Sequence, residues 1–308
     1  MNLFSNPRLA LSRLASASGI SNCGTASSAS PEIASPRSPA SAWEGAARVL
    51  ARHWPEYCME AAELGIFMIS ACVFTTLIQY PGSPVHDLLP DPFLRRLLTG
   101  LAMACTAVLL VFSGWGKQSG AHFNPAVTLT FLRLKKIQPW DALFYVLAQF
   151  TGGVLGVLIA SVLIGMAIAH PAVHYAVTAP NAGWKIAFLA EVIISFFLFL
   201  TVLVISNTKN LGRYTGFFSG ALVASYITFE SPFSGMSMNP ARSFASAFPA
   251  RDFHGLWIYF LAPPIGMLLA AELYVRLRSA NAVYCAKYHH HNDKRCIFNC
   301  RFEELQSQ

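Results

Sequence analysis

The residues of this chain with the most distinctive chemistry are two asparagines, Asn124 and Asn239, each followed by Pro-Ala. Asparagine is among the best residues for capping a helix N-terminus, and proline is favoured at the first helical position. Each tripeptide therefore predicts the start of a helix. The first turn of a helix carries unpaired backbone N–H groups and a partial positive charge. Two such helix ends that face one cavity would repel cations and protons.

The composition places these residues in a membrane protein. The chain has 308 residues, of which 54% are hydrophobic and 12% are charged, whereas about a quarter of a typical soluble chain is charged. Six apolar segments are each near the ~20 residues that a helix needs to cross a bilayer. They cover residues 57–80, 96–113, 140–168, 184–206, 213–231 and 256–277. These features exclude an ordinary cytosolic globule and predict six membrane-spanning helices.

The two Asn-Pro-Ala segments are apolar for only about a dozen residues, which is too short to cross the bilayer. Each lies between the second and third spans of one half of the chain, so residues 57–168 and 184–277 form an internal repeat. Because three spans is an odd number, the two halves have opposite orientations in the membrane. The short segments should enter from opposite sides and meet near the midplane, around a polar lumen.

Basic residues near the span ends assign the two sides of the membrane. Most of them fall on one face, among them Arg48, Lys117, Arg133 and Arg276. The positive-inside rule predicts that this face is cytoplasmic and that both chain termini lie on it.

The two ends of the chain differ in composition from the membrane domain, which we place at residues 53–278. Residues 1–52 are rich in Ser, Ala and Pro and are expected to form a disordered tail, with an organellar targeting peptide as the alternative. Residues 279–308 are expected to form a solvated cytoplasmic tail. The metal-ligating residues in this tail are Cys285, His289, His290, His291, Cys296 and Cys300. Their spacing matches no standard zinc pattern, so no metal site is predicted.

Residues 119–128, Ser-Gly-Ala-His-Phe-Asn-Pro-Ala-Val-Thr, and residues 238–244, Met-Asn-Pro-Ala-Arg-Ser-Phe, resemble the two signature boxes of the aquaporin, or major intrinsic protein, family. The similarity extends over residues 57–278. It implies an all-α membrane protein with a right-handed bundle of six transmembrane helices and two re-entrant half-helices. It also implies a passive channel that assembles as a homotetramer, and we expect it in the plasma membrane.

The resemblance assigns roles to particular residues. The two motifs, Asn124-Pro125-Ala126 and Asn239-Pro240-Ala241, would lie at the pore centre, where both asparagine amides donate to a solute oxygen. The residues at the outer constriction would be Arg242, Met236, Ile227 and either Met103 or Ala104. The residues that support the loops before the motifs would be Glu63, Glu191, Gln149 and His122.

The constriction differs from that of strict water channels at Ile227, where such channels usually have histidine. This change removes a polar donor. Other positions resemble water channels, namely Ser243, Ala247 and the aromatic pair Tyr259-Phe260. We predict that the channel conducts water down an osmotic gradient while it excludes protons and ions. The alternative is a channel for glycerol or another small neutral solute, such as hydrogen peroxide or ammonia. A more remote alternative is a secondary transporter, because such proteins also use inverted repeats.

Other function classes find no support in the residues. No nucleophile with a partnered base, no HExxH motif and no paired-carboxylate arrangement is present, so neither an enzyme nor a cofactor is predicted. The net charge is +7, but the basic residues are scattered between apolar runs, which argues against nucleic acid as a partner.

Overall fold

The computed structural model describes residues 39–307 of the chain. Within that range eight helices have nine or more residues, and no strand is present. They are α1 (Pro39–Gln79), α2 (Pro92–Phe112), α3 (Pro125–Arg133), α4 (Pro139–Ile164), α5 (Trp184–Ser206), α6 (Thr215–Phe229), α7 (Pro240–Ala250) and α8 (Leu256–Arg278). The predicted all-α fold is confirmed.

Five of these helices, α1, α2, α4, α5 and α8, are long and apolar enough to cross a membrane. The fifth predicted span is shorter than expected, because α6 has only 15 residues. Helical turns at Gly212–Tyr214 and Ser231–Ser234 flank it. The two short segments form α3, of 9 residues, and α7, of 11. At ~1.5 Å per residue each of these two helices covers only about half of a ~30 Å hydrocarbon core.

The first helix begins earlier than the sequence predicted. The sequence predicts a disordered tail through residue 52, but residues 39–52 form the first part of α1. Pro39 occupies the first helical position, and the next residues are mostly Ala, Glu, Arg, Val and Leu, several of which are good helix formers. The composition changes at Pro39, but the Ser/Pro-rich residues before it make the whole of residues 1–52 look like one disordered segment. Residues 1–38, with the rest of the predicted tail and its possible targeting peptide, lie outside the described residues.

Small residues allow the helices to pair closely. α1 packs on α4, and a Cβ added at Gly156 of α4 would lie against the carbonyl oxygen of Gly65 in α1. The matching pair in the second half is α5 with α8, where a Cβ at Gly266 would lie against the carbonyl oxygen of Val192. α2 packs on α6 and joins the two halves. Close backbone approach of this kind is how helices associate in membranes.

The segment after α8 is folded against the membrane domain, so the prediction of a solvated tail was wrong. Within residues 279–307, which we call the tail, Val283 and Ala286 are fully buried and the Lys287 residue is only 2% exposed. The prediction failed because the tail is basic and lacks an apolar period, whereas its burial depends on contacts with loops far away in sequence. We call the surface that carries the tail the tail face, and the opposite surface the far face.

Candidate functional site

Both Asn-Pro-Ala motifs begin a half-helix inside the protein. The side-chain oxygen of Asn124 accepts a hydrogen bond from the backbone N–H of Ala126 at 2.9 Å. The side-chain oxygen of Asn239 accepts from Ala241 at 3.0 Å and from Arg242 at 3.2 Å. Each asparagine is therefore an N-cap, as the sequence predicted, and the helices α3 and α7 point their N-terminal ends toward each other.

The two motifs are joined by reciprocal hydrogen bonds. The Asn124 amide donates through Nδ2 to the carbonyl oxygen of Met238 at 2.8 Å, and the Asn239 amide donates to the carbonyl oxygen of Phe123 at 2.7 Å. An asparagine amide has two N–H donors. One donor of each asparagine thus holds the half-helices together, and the other is available to a molecule in the cavity.

A buried carboxylate holds the loop before each half-helix. In the second half, Glu191 accepts from the backbone N–H groups of Ser237 and Met238, both at 2.7 Å. In the first half, the equivalent N–H groups of His122 and Phe123 donate to Glu60, at 2.9 and 2.7 Å. Each carboxylate therefore satisfies loop N–H groups that would be costly to leave unpaired in hydrocarbon.

Glu60 was not identified from the sequence, which pointed to Glu63. Glu63 contacts the loop only through the hydroxyl of Ser119, at 2.9 Å, and its second oxygen has no partner among the described residues. The two glutamates are one turn apart on α1, so they share a face and the spacing could not distinguish them. Gln149 has a loop-holding position, because its Nε2 donates to Glu60 at 2.7 Å and to Thr128 at 3.1 Å.

His122 links the first loop to the tail. Its Nδ1 lies 3.1 Å from the hydroxyl of Thr128, and its Nε2 lies 2.8 Å from the carbonyl oxygen of Ala286. The ring stacks between Phe131 and Phe298, with centroid distances of 5.1 and 5.3 Å. The side chain is therefore an anchor for the loop and for the tail at once.

The two loops repeat one backbone conformation. Gly120 and Gly235 have positive φ angles of 100° and 77°. Phe123 and Met238, the residues directly before the two asparagines, also have positive φ, 28° and 54°. Positive φ is unfavourable for residues other than glycine, at ~1–3 kcal/mol each. The bonds to Glu60 and Glu191 offset this cost at matching positions in both halves.

An elongated cavity of about 240 Å³ runs through the protein past the two asparagines. It reaches Gln79 and Arg96 near the far face and Tyr288 of the tail at the other end. The constriction residues assigned from the sequence that line it are Met103, Ile227, Met236 and Arg242. Ala104 does not line it and lies instead beside Gly220 of α6. Of the two candidates for the second-span position, Met103 therefore lines the cavity and Ala104 does not. Pro125, Ala126, Pro240 and Ala241 are buried behind the lining.

Arg242 is held at the far-face side of the motifs. Its Nη1 donates to the carbonyl oxygen of Ala176 at 2.9 Å, which fixes the guanidinium beside the cavity. The three other residues predicted to form the constriction, Met103, Ile227 and Met236, line the same cavity and have apolar side chains. The predicted set thus combines one cationic donor with three side chains that donate no hydrogen bonds.

Comparison with known proteins agrees with this geometry. Residues 53–274 match the model of the family described as major intrinsic protein. The chain is 34% identical over 222 residues to aquaporin NIP2-2 of Zea mays, covering 71% of this chain and 74% of the relative. It is 34% identical over 160 residues to nodulin-26 of Glycine max, covering 52% of this chain and 58% of that protein. Among solved structures, the aquaglyceroporin from Plasmodium falciparum aligns with a TM-score of 0.61 at 20% identity, covering 75% of this chain and 98% of that one.

Proposed function

The chain belongs to the major intrinsic protein family of membrane channels, and from this premise we propose that it conducts water together with small uncharged hydroxylated solutes such as glycerol. The protein is an integral multi-pass membrane channel and not an enzyme, as the sequence predicted.

The charges around the cavity support conduction of neutral molecules. The N-terminal ends of α3 and α7 contribute partial positive charge, and Arg96 and Arg242 contribute two full positive charges. No carboxylate is found among the described residues that line the cavity. A cation would lose its hydration without gaining an anionic partner. An anion would have to lose part of its hydration shell beside Met103, Ile227 and Met236, whose side chains donate no hydrogen bonds.

The observation that carries the proposal is the composition of the constriction. A glycerol-like solute has a hydroxylated edge and a hydrocarbon edge. Arg242 can donate to the hydroxyls, while Met103, Ile227 and Met236 can contact the carbons without a desolvation penalty. Water passes the same path, and the remaining N–H donors of Asn124 and Asn239 can hold it at the centre. A strict water channel, favoured by Ser243, Ala247 and the Tyr259-Phe260 pair, is the second candidate.

We also infer that the tail face is cytoplasmic. Basic residues that contact or closely approach the tail are concentrated there, and they are Arg52, Lys117, Lys135, Lys136 and Arg213. This distribution is the one that the positive-inside rule requires of a cytoplasmic surface. Assembly as a homotetramer and residence in the plasma membrane stay predictions; cross-linking in membranes and microscopy of the tagged protein test them.

The test is stopped-flow light scattering of proteoliposomes, run once with an impermeant osmolyte and once with a glycerol gradient. We expect permeability to both solutes. Ile227→His should lower glycerol permeability relative to water by roughly tenfold, because it adds a polar group to an apolar wall. Leu109→His is the control, since Leu109 is 71% exposed on α2 and does not line the cavity. Wild-type vesicles that shrink and fail to recover in glycerol would leave strict water conduction as the function.

A further inference from the structure

The tail carries a cluster of metal-ligating side chains that solute conduction does not use. After α8 the chain folds back along the tail face and brings Cys285, His290, Cys296 and Cys300 together. One ligand atom from each side chain lies within 4.8 Å of the others. The sulfurs of Cys285 and Cys296 are 3.6 Å apart, and the Cys300 sulfur is 3.0 Å from Nε2 of His290.

This set of ligands has the chemistry of a structural zinc site. Three cysteines and one histidine around a tetrahedral Zn²⁺ are a common donor set, with Zn–S bonds of ~2.3 Å. The ligand atoms of such a tetrahedron are roughly 3.8 Å apart, close to the 3.6 Å between the Cys285 and Cys296 sulfurs. A disulfide would need these sulfurs ~2.05 Å apart. The observed separation therefore fits shared coordination better than a disulfide.

Buried positive charge surrounds the cluster. Three thiolates on one Zn²⁺ leave a net charge of about −1. The ammonium groups of Lys136 and Lys287, residues that are 7% and 2% exposed, interact electrostatically with the cluster sulfurs. The Nζ of Lys287 is held in place because it donates to the carbonyl oxygens of Lys117 and Arg295 at 2.8 and 2.7 Å. Two buried lysines beside the sulfurs complement an anionic metal–thiolate centre.

The tail contains little regular secondary structure of its own. Its helical structure is limited to the turn Ala280–Ala282 and the helix Phe302–Ser307. A bound metal would fix the conformation of such a segment, in addition to its packing on the membrane domain. His290 is already oriented, because its ring stacks on Phe302 at 4.2 Å. The sequence by itself predicts no metal site, because the ligand order Cys-x4-His-x5-Cys-x3-Cys is not a standard spacing.

We propose that Cys285, His290, Cys296 and Cys300 bind one Zn²⁺ ion and that this ion fixes the tail on the tail face. The residues between the first two ligands include Ala286 and Tyr288, which accept from His122 and donate to Gly120 respectively. Tyr288 also lines the cavity. Metal binding therefore fixes the lining at this end of the solute path; this consequence rests on the proposed channel function, whereas the metal site does not.

Metal content of the full-length protein tests the site directly. The protein is purified in detergent under reducing conditions without chelator, and bound metal is measured by mass spectrometry. We expect about one zinc per chain, and cobalt substitution should give the absorption of a tetrahedral thiolate complex. Cys300→Ser and His290→Gln should each weaken zinc binding at least about 100-fold. Cys58→Ser and Cys105→Ser are matched controls, because both cysteines are exposed and outside the cluster.

The site is overturned if folded wild-type protein holds no more metal than Cys300→Ser, in both cases after incubation with zinc. It is also overturned if the intact mass under non-reducing conditions shows a Cys285–Cys296 disulfide that persists during gentle reduction. Size-exclusion profiles of each variant verify that the membrane domain is folded. If a variant fails this check, removal of zinc from the wild type by a chelator, followed by reloading, gives the same comparison.

Measurements of water permeability test the metal site and the proposed channel function independently. Chelator added to wild-type proteoliposomes should change water permeability, and zinc should restore it, while Cys300→Ser should respond to neither. Zinc binding with unchanged permeability would reject the effect on the solute path. Zinc binding in vesicles that conduct nothing under any condition would reject the proposed function and leave the site standing.

Discussion

Two buried glutamates, Glu60 and Glu63, lie one turn apart on α1 and make different contacts with the loop before Asn124. Glu60 and Glu63 are both fully buried, yet only Glu60 accepts from the backbone N–H groups of the loop before Asn124. Glu63 accepts from one hydroxyl. Glu60 is therefore the counterpart of Glu191 in the second half. This correspondence follows from the hydrogen bonds and not from the order of the residues in the sequence.

We predict that Glu60→Gln destabilises the protein by about 2–3 kcal/mol, because the amide loses charge-assisted bonds and presents a donor where acceptors are needed. Glu63→Gln should cost less than about 1 kcal/mol. Thermal unfolding in detergent, followed by tryptophan fluorescence, compares the two. Equal or greater loss of stability in Glu63→Gln would contradict the assignment.

Arg242 lines the cavity directly after the second motif, and we propose that it forms the constriction with Met103, Ile227 and Met236. Arg242→Val should therefore raise permeability to glycerol and to larger polyols by roughly tenfold, since it both widens the path and removes the charge. The control is Arg133→Val, because Arg133 is exposed and pairs with Glu272 on the surface. Solute uptake by proteoliposomes measures the ratio. A folded Arg242→Val protein with wild-type selectivity would remove this residue from the filter.

At the scale of elements, the two halves use the same construction. Each half pairs its first and third spans through glycine, and each holds its loop by a carboxylate. Tyr145 donates to the carbonyl oxygen of Ser119 at 2.7 Å, and Tyr259 donates in the same way to Ser234 at 2.5 Å. Rigid helix pairs thus position both half-helices, and the site depends on that packing.

A side chain at the α1–α4 contact should disturb the fold and leave selectivity unchanged. Gly156→Ala would place a Cβ against the backbone of Gly65, and overpacking of this kind costs about 1–3 kcal/mol. Gly114→Ala is the matched control, because a Cβ at Gly114 has no atom within 4 Å. We expect a lower unfolding temperature only for Gly156→Ala, with the same glycerol-to-water ratio per folded channel. An altered ratio at wild-type stability would show that this contact shapes the pore.

At the scale of the whole molecule, the tail and the membrane domain form one packed unit. Arg295 pairs with the buried Glu56 at 3.1 Å, and Asn299 donates from its backbone to Lys136 at 2.9 Å. With the contacts of His122 and Lys287, these bonds distribute the attachment over several loops of the tail face.

Truncation after Arg278 should raise water permeability per folded channel by roughly threefold or more, because Tyr288 no longer lies in the cavity lining. Tyr288→Ala keeps the tail and should reproduce part of the increase. Both are measured by stopped-flow scattering, with channel number determined by quantitative blotting. Permeability that falls in the truncated protein while Tyr288→Ala matches the wild type would show that the tail supports the fold and does not restrict the path.

The sequence alone indicated the membrane-spanning class, the inverted repeat and the two capped half-helices, whereas the assignment of Ile227, Met236 and Arg242 to the constriction came from the resemblance to the family. These features depend on local signals, because hydropathy over a span and capping by an asparagine are set by adjacent residues. The tertiary structure decided between Glu60 and Glu63, between Met103 and Ala104, and whether the tail is solvated. It also brought together four metal-ligating side chains across sixteen residues of irregular chain. Such choices depend on the relative rotation of packed helices and on contacts between distant loops, which no single stretch of sequence encodes.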